Sequence, residues 1–526
     1  MKSDIEVFLE PLLIDVGKAH ALSHELHQTF EQLSAGSLEQ FLPTPISESI
    51  LRPAAGRERG RHLAIDIGGT NLRAGFVELL GSANGTVIGD GLGTNGNTAS
   101  SQEGSNLRRV LGKSWPIAEH LKNENADSLF AWIGKCIAEV VREGCENFHL
   151  PRNGELPMGV TFSFPVVQNT LSDATIMAMG KGFAISSKLD LGAQLVSGYE
   201  TARGPDLPRI RIAAILNDAV ATLVSFIYQS KEDATRKASM GLICGTGSNA
   251  TIPLRRSTLH KDKLPGKVKV LAGDPTDDIK IAVNTEWSIN GSAPALHKFG
   301  LVSKWDTRLD FEGEIPGFQP LEYMTAGRYL GELGRLMLLD YLKTRLGFSE
   351  DMLPSRLQTR FGLTTTFLSH FRPLHPKTLL RKLEEEFSNQ TAKSTFKWTE
   401  ESATTLYHIA KAIEVRAAGI VAAAIIGLLA CAGDIPLRDP LGNKTNGKRS
   451  TNGGAPKVEL IVGYTGGCIV HFQDYLVDCQ SFLDGIIEAE FGNAAPIRVL
   501  LSPCHDGGIT GAGVLCGASQ AASKDV

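Results

Sequence analysis

The stretch that most constrains this chain is LAIDIGGTNLR, residues 63–73. Its opening residues form a short apolar run of the length and composition of a buried strand. Asp66 closes that strand, Gly68 and Gly69 permit a sharp turn, and Leu72 onward reads as the next strand. Glycines at such a turn let the backbone approach a ligand closely and can leave N–H groups pointing outward. The Thr70 hydroxyl, Asn71 amide and Arg73 cation then sit where phosphate oxygens dock, with Asp66 placed to hold a water on a bound metal. The plainer reading is an ordinary hairpin, but the dense polar row after the glycines favours phosphate. GLICGTGSNATI, residues 241–252, repeats the pattern of strand, glycine turn and strand. The two stretches read as a weak internal duplication, each half offering a turn to the same polyphosphate.

A chain of 526 residues is too long for one ordinary core, which implies two large α/β domains or a pair of lobes. With 42% hydrophobic and 21% charged residues and a net charge of −4, nothing favours nucleic acid or an anionic membrane. Eight cysteines are scattered with no CxxC pair, against both a zinc site and a disulfide framework. The start of the chain does not read as a signal peptide, so a reducing, cytosolic setting is expected, without excluding nuclear or mitochondrial association. RAAGIVAAAIIGLLACAG, residues 416–433, is almost wholly apolar after Arg416. It is short for a membrane span and lacks a basic flank on its far side, so a central buried helix is expected.

Taken in order, residues 4–33 carry apolar residues at helical spacing and predict one amphipathic helix. FLPTPI, residues 41–46, reads as a proline-punctuated connection. Three polar stretches, 81–105, 261–278 and 440–456, read as surface insertions. Residues 126–143 predict a helix, and RIAAILNDAVATLVSFIY, residues 211–228, predicts a buried strand ending at Asn217–Asp218, followed by a helix. The span from Pro316 to about Leu346 predicts a long helix, and residues 499–519 a strand, a turn and a last helix.

With these stretches in view, the chain resembles the hexokinase family, in a divergent, fungal-type form. The likeness is carried by Asp66, Gly68, Gly69, Thr70, Asn71 and Arg73 in the first turn, by TFSFP at 161–165, and by Lys181–Gly182–Phe183. LNDAVATL, GLICGTGSNA, NTEW and the pair Gln319 and Glu322 complete it. The resemblance implies an α/β, actin-like ATPase or sugar kinase fold, two lobes with mixed sheets around a central cleft. It implies an N-terminal helix over 1–36 on the large lobe, a small lobe over 37–213, a large lobe over 214–508, and a C-terminal helix over 509–526 returning to the small lobe. By family role, Asp218 would be the base for the sugar 6-hydroxyl, with Lys181 beside it. Ser163, Lys181, Asn217, Asn249, Glu286, Gln319 and Glu322 would hold the pyranose. Asp66, Gly68, Gly69, Thr70, Asn71, Arg73, Gly245, Thr246, Gly247, Gly466, Gly467 and Gly508 would face ATP. Mg2+ would ride on the phosphates, reached by Asp66 through water. The expected partners are a hexose and ATP, with protein partners in a regulatory role as a further option.

The chemistry asks for the same kit. Sugar hydroxyls need carboxylates and amides that pair hydrogen bonds, and phosphoryl transfer needs a carboxylate near the nucleophile and positive groups around the phosphoryl. On structural grounds alone, Asn217–Asp218 would be a helix cap pair, Glu286 a surface acid and Lys181 a loop cation. The chain departs from the family pattern at Met179 and Gly180, where a tryptophan and a threonine are usual, and at Ala219, where a hydroxyl is usual. Thr465–Gly466–Gly467 and DGGITGAG at 506–513 also differ from the usual nucleotide turns. Two functions follow: an ATP-dependent hexose kinase, with reduced turnover where donors are lost, or a hexokinase-like protein that senses sugar or nucleotide and signals through partners.

Overall fold

The computed structural model describes residues 3–51, 59–81, 106–123, 126–177, 188–230, 235–271, 277–387, 396–437, 457–520 and 523–525. Chain contacts divide it into two compact units. One comprises Met1–Gln40, Asp233–Ala250 and Glu286–Pro503, the other Phe41–Glu232, Thr251–Thr285 and Cys504–Val526. We call them the helical unit and the hairpin unit.

The hairpin unit is built on a five-stranded mixed sheet in the order Leu107–Pro116, Asn71–Leu79, Gly60–Ile67, Glu155–Phe162, Arg209–Asn217. Asn71–Leu79 runs antiparallel to both its neighbours, whereas Glu155–Phe162 lies parallel to the strands on both its sides. Alternation decides the faces, because successive side chains on a strand point opposite ways. Leu63, Ile65 and Ile67 turn into a core with Ile133, Ile137 and Val141 of the helix Ala126–Phe148. Gly134 of that helix meets Gly198 of the helix Leu191–Ala202 so closely that a Cβ on Gly134 would come within 2.1 Å of the Gly198 carbonyl oxygen. The opposite face carries the helix Gly507–Ala518, where a Cβ on Gly159 would lie 2.0 Å from the Ala512 carbonyl oxygen. Asp66 and Thr161 belong to this second face.

A smaller set of strands completes the unit and corrects two expectations. FLPTPI is no simple connection: Leu42–Ser47 is a wholly buried strand, antiparallel to Lys280–Asn284 and parallel to Lys269–Leu271. Proline has no N–H for a ladder, and the pairing register shifts between Pro43 and Ser47, where the prolines stand. The described residues of the insertion 261–278 include a short helix at Lys261–Lys263 and the strand Lys269–Leu271, which also pairs with Ser523–Asp525. Of the other two insertions, 81–105 and 440–456, all but Gly81 lies outside the described residues.

In the helical unit, the apolar run is the C-terminal part of a 32-residue helix, Glu400–Cys431. Its most apolar stretch has a mean hydropathy of 2.0 and is 89% buried within the protein, as a core helix requires. Gly427 lets the helix Val16–Gly36 approach, since a Cβ there would lie 3.0 Å from the His27 nitrogen. Arg416 enters this core fully buried, paired through both terminal nitrogens with Asp306 at 2.6 and 2.8 Å. The strands Arg236–Cys244, Val458–Thr465 and Ile497–Pro503 lie parallel, with Val458–Thr465 in the middle.

Two predicted helices are broken. The N-terminal one divides into Asp4–Leu9 and Val16–Gly36, separated where Pro11 enters a short turn and Asp15 caps the second helix by accepting from the Lys18 N–H at 2.7 Å. The one after Pro316 divides into Pro320–Thr325 and Gly327–Thr344. The cause lies in the site.

Candidate active site

In the hairpin unit, Gly60–Ile67 and Asn71–Leu79 form the expected hairpin, with Asp66 opposite Arg73 in register. Gly68 donates its N–H to the Asn71 carbonyl at 3.0 Å, closing the turn that holds Gly69 and Thr70. Asn71 donates from Nδ2 to the Thr70 hydroxyl at 3.0 Å, so these polar side chains are arranged together at the tip. Arg73 Nη1 donates to Asp66 Oδ2 at 3.2 Å. Asp66 is only 7% exposed, and burial pushes its carboxyl up to about 6. Arg73 pulls the other way, while the nearby charges of Asp218 and Asp506 add to the rise.

Three elements lie around that acid. Thr161 donates its hydroxyl to the Gly508 carbonyl at 2.8 Å, fixing the first turn of the helix Gly507–Ala518. A Cβ on Gly508 would come within 2.6 Å of Asp66 Oδ2, so only glycine leaves the carboxylate its room. Asp218 opens the helix Asp218–Gln229 directly after the strand Arg209–Asn217. Asn217 caps this helix, its Oδ1 accepting from the Ala219 N–H at 2.9 Å, and Asp218 Oδ1 accepts from the same N–H at 2.9 Å. The cap is real, and it fixes the rotation of the first helical turn on which Asp218 stands. Ser163 follows the neighbouring strand end, its N–H donating to the Ile67 carbonyl at 3.0 Å. The hairpin tip, Ser163, Asp218 and Gly508 therefore gather at one end of one sheet, where a polar ligand meets loops and helix starts rather than core.

In the helical unit, Gly245–Thr246–Gly247 turns between strands, with the Gly245 N–H donating to the Gly247 carbonyl at 2.9 Å. The helix Gly327–Thr344 starts against this turn. The Gly327 N–H donates to the Gly245 carbonyl at 2.8 Å and the Arg328 N–H to that of Thr246 at 3.2 Å. These bonds draw the chain at Ala326 into an extended conformation and split the predicted helix in two. Glu322, 8% exposed, accepts from the Ser248 N–H at 3.0 Å through Oε2. A Cβ on Gly247 would sit 2.7 Å from that same oxygen. Gln319 immediately precedes this short helix and is half-buried.

Glu286 stands in the left-handed region at φ 45, an unusual conformation for a glutamate. Its carbonyl accepts from Gln40 Nε2 at 2.9 Å, while Trp287 Nε1 donates to the Ser248 hydroxyl at 3.2 Å and Ser288 donates to the Ser248 carbonyl. The segment that carries Glu286 and the carboxylate of Glu322 are thus both tied to Ser248, next to Asn249, whose Oδ1 accepts from the Ala250 N–H at 2.8 Å. Gly466, at φ 125, crosses behind the turn: a Cβ there would lie 2.3 Å from the Cys244 carbonyl oxygen. Gly466 and Gly467 are therefore stacked on Gly245.

The described residues divide the expected site into two sets. The hairpin unit gathers Asp66, Gly68, Gly69, Thr70, Asn71, Arg73, Ser163, Asn217, Asp218 and Gly508, and the helical unit Gly245, Thr246, Gly247, Asn249, Glu286, Gln319, Glu322, Gly466 and Gly467. Lys181, with Met179 and Gly180, lies outside the described residues. Asp506, Thr161, Ser248 and Trp287 lie within the motifs quoted above but have no individual role in them. Asp506 was in plain sight beside Gly508, but its influence on Asp66 depends on a neighbour 440 positions away and carries no local signal.

Hexokinase family models match residues 4–228 and 239–518. Hexokinase-5 of rice (Oryza sativa subsp. japonica) is 28% identical over 477 residues, covering 89% of this chain and 80% of that protein. Hexokinase-2 of Schizosaccharomyces pombe is 30% identical over 379 residues, covering 71% of each. Hexokinase-1 of Arabidopsis thaliana is 32% identical over 317 residues, 60% of this chain and 55% of that protein. In structure, a hexokinase from Schistosoma mansoni complexed with glucose matches with a TM-score of 0.70, at 21% identity, over 98% of both chains. The fold is the actin-like sugar kinase fold, in agreement with its two mixed-sheet α/β units. With family models spanning nearly its whole length, the chain belongs to the hexokinase family, the ATP-dependent phosphotransferases whose acceptor is a hexose hydroxyl.

Proposed function

We propose that this protein phosphorylates a glucose-type hexose at its 6-hydroxyl, with Asp218 as the base. The observation that carries this reading is the placement of Asp218 at a capped helix start, close enough to Asp66 at the phosphate hairpin for the two charges to interact. Asp218 accepts the hydroxyl proton as the oxygen attacks. By its family role, Lys181 supplies positive charge for the transfer. Ser163, Asn217, Asn249, Glu286, Gln319 and Glu322 hold the remaining hydroxyls, each by groups able to pair hydrogen bonds. Thr70, Asn71, Arg73 and the glycine turns receive the nucleotide phosphates.

The residues also fit Mg2+. A buried carboxyl that is raised to about 6 by lack of solvent and by two neighbouring acids is one that a cation would return to its ionised form. Magnesium on the triphosphate neutralises charge that develops in transfer, and Asp66 would hold one of its waters. The eight free cysteines suit a reducing compartment, and we place the protein in the cytosol.

A coupled ADP-release assay with glucose, fructose and mannose tests the reading. Sugar-dependent release should fall by ~10²–10⁴ in Asp218→Asn, the usual range for loss of a general base. A sugar-induced thermal shift with no ADP release from the unaltered protein would refute catalysis and leave a sugar-binding sensor.

A further inference from the structure

One polar cluster in the helical unit contains none of the residues placed above at the sugar or the nucleotide. His20 and His24 stand one turn apart on the helix Val16–Gly36, and Glu490 lies near the end of the helix Tyr475–Phe491. Both imidazoles aim Nε2 at the same carboxylate oxygen: His20 Nε2 is 2.8 Å and His24 Nε2 3.0 Å from Glu490 Oε2. The two Nε2 atoms are themselves 3.3 Å apart. The Glu490 side chain is 3% exposed, while His20 remains 26% and His24 15% exposed. All three donor atoms therefore converge on one point that is closed on the glutamate side and open to water on the histidine side.

We propose that His20, His24 and Glu490 form a binding site for a divalent transition-metal ion of the zinc type, clamping the N-terminal helix to the helix that ends at Phe491. Three features argue for it. Histidines at i and i+4 face the same way from a helix and form a ready chelate. Two nitrogens and one carboxylate oxygen are a donor set suited to zinc, leaving a fourth position for water. Zinc bonds of ~2.0–2.1 Å in a tetrahedron put neighbouring donors roughly 3.3–3.4 Å apart. The separation of the two nitrogens, 3.3 Å, already matches. The two contacts to the glutamate need to widen by only ~0.3–0.6 Å, within reach of small side-chain rotations. Without a metal, the same three groups are held as a hydrogen-bonded triad in which two ring nitrogens crowd one oxygen.

The test uses the full chain, stripped with a chelator and titrated with zinc chloride by calorimetry in the absence of nucleotide, with Co2+ as a spectroscopic probe. One zinc per chain is expected, with a rise in melting temperature and a tetrahedral Co2+ spectrum free of thiolate charge transfer. His20→Asn, His24→Asn and Glu490→Gln should each weaken zinc by ~100-fold or more, exceeding the 10–100-fold typical of outer-shell partners. Circular dichroism of the metal-free His20→Asn protein, altered at the most exposed of the three, checks that the fold survives. Should Glu490→Gln fail to fold, the two histidine variants decide. No stoichiometric zinc binding, equal affinity in the variants, or a sulfur-ligated Co2+ spectrum would overturn the site.

Discussion

Asp66→Asn should make this protein more stable and less active. At neutral pH the folded state holds Asp66 ionised although burial has raised its carboxyl from 3.8 to about 6. A pKa that differs by one between the folded and unfolded chain corresponds to about 1.36 kcal/mol. Keeping Asp66 ionised in the folded state therefore costs about 3 kcal/mol, with the attraction of Arg73 already inside that net figure. Asparagine has nearly the same shape and no charge, and removes the cost. With its folded value raised, Asp66 binds more protons folded than unfolded between about pH 4 and 6. The stability tied to its protonation is present below about pH 4 and is lost as pH rises through about 6. The variant should gain about 3 kcal/mol at pH 7.5, roughly half of that at pH 5, and little at pH 4. For a unit of about 250 residues, 3 kcal/mol moves a melting temperature by ~6–12 °C. Matched thermal scans of both proteins from pH 4.5 to 8, without nucleotide or Mg2+, measure the gap. On the role proposed for Asp66, turnover should fall ~10²-fold or more, since the metal's water loses its charged acceptor. A gap that does not change with pH, or a variant less stable at pH 7.5, would refute the role given to burial at Asp66.

The remaining predictions concern the turn at Gly466 and the core around Arg416. Gly466→Ala adds a Cβ 2.3 Å from the Cys244 carbonyl oxygen at a residue held at φ 125. It should cost ~1–3 kcal/mol in denaturant unfolding and raise the KM for ATP more than that for hexose. Arg416→Met leaves Asp306 charged and buried without its bidentate partner. The loss should be ~3–5 kcal/mol in thermal or urea unfolding, with kcat of the folded protein unchanged. A smaller loss would show that water reaches Asp306.

Much of the backbone at the candidate site was legible because turns and helix starts are specified locally. A strand, two glycines and a row of short polar residues specify a turn wherever they occur, and the hairpin at Asp66–Arg73 and the turn at Gly245–Gly247 form as the residues imply. Asn217–Asp218 marked a strand-to-helix junction for the same reason, and the apolar run after Arg416 could only be a helix needing burial or lipid. Other features depended on partners far away in the chain. The break at Ala326 exists because carbonyls of a distant turn accept the N–H groups that start a new helix. FLPTPI became a strand because Lys280–Asn284 lay ready to pair with it. Periodicity determined which segments were helix, strand or turn, because those preferences belong to a few neighbouring residues. Only the tertiary structure decided that Asp66 would resist ionisation and that Glu490 would meet a histidine 466 positions away, since burial and charge act through space and leave no trace in local pattern.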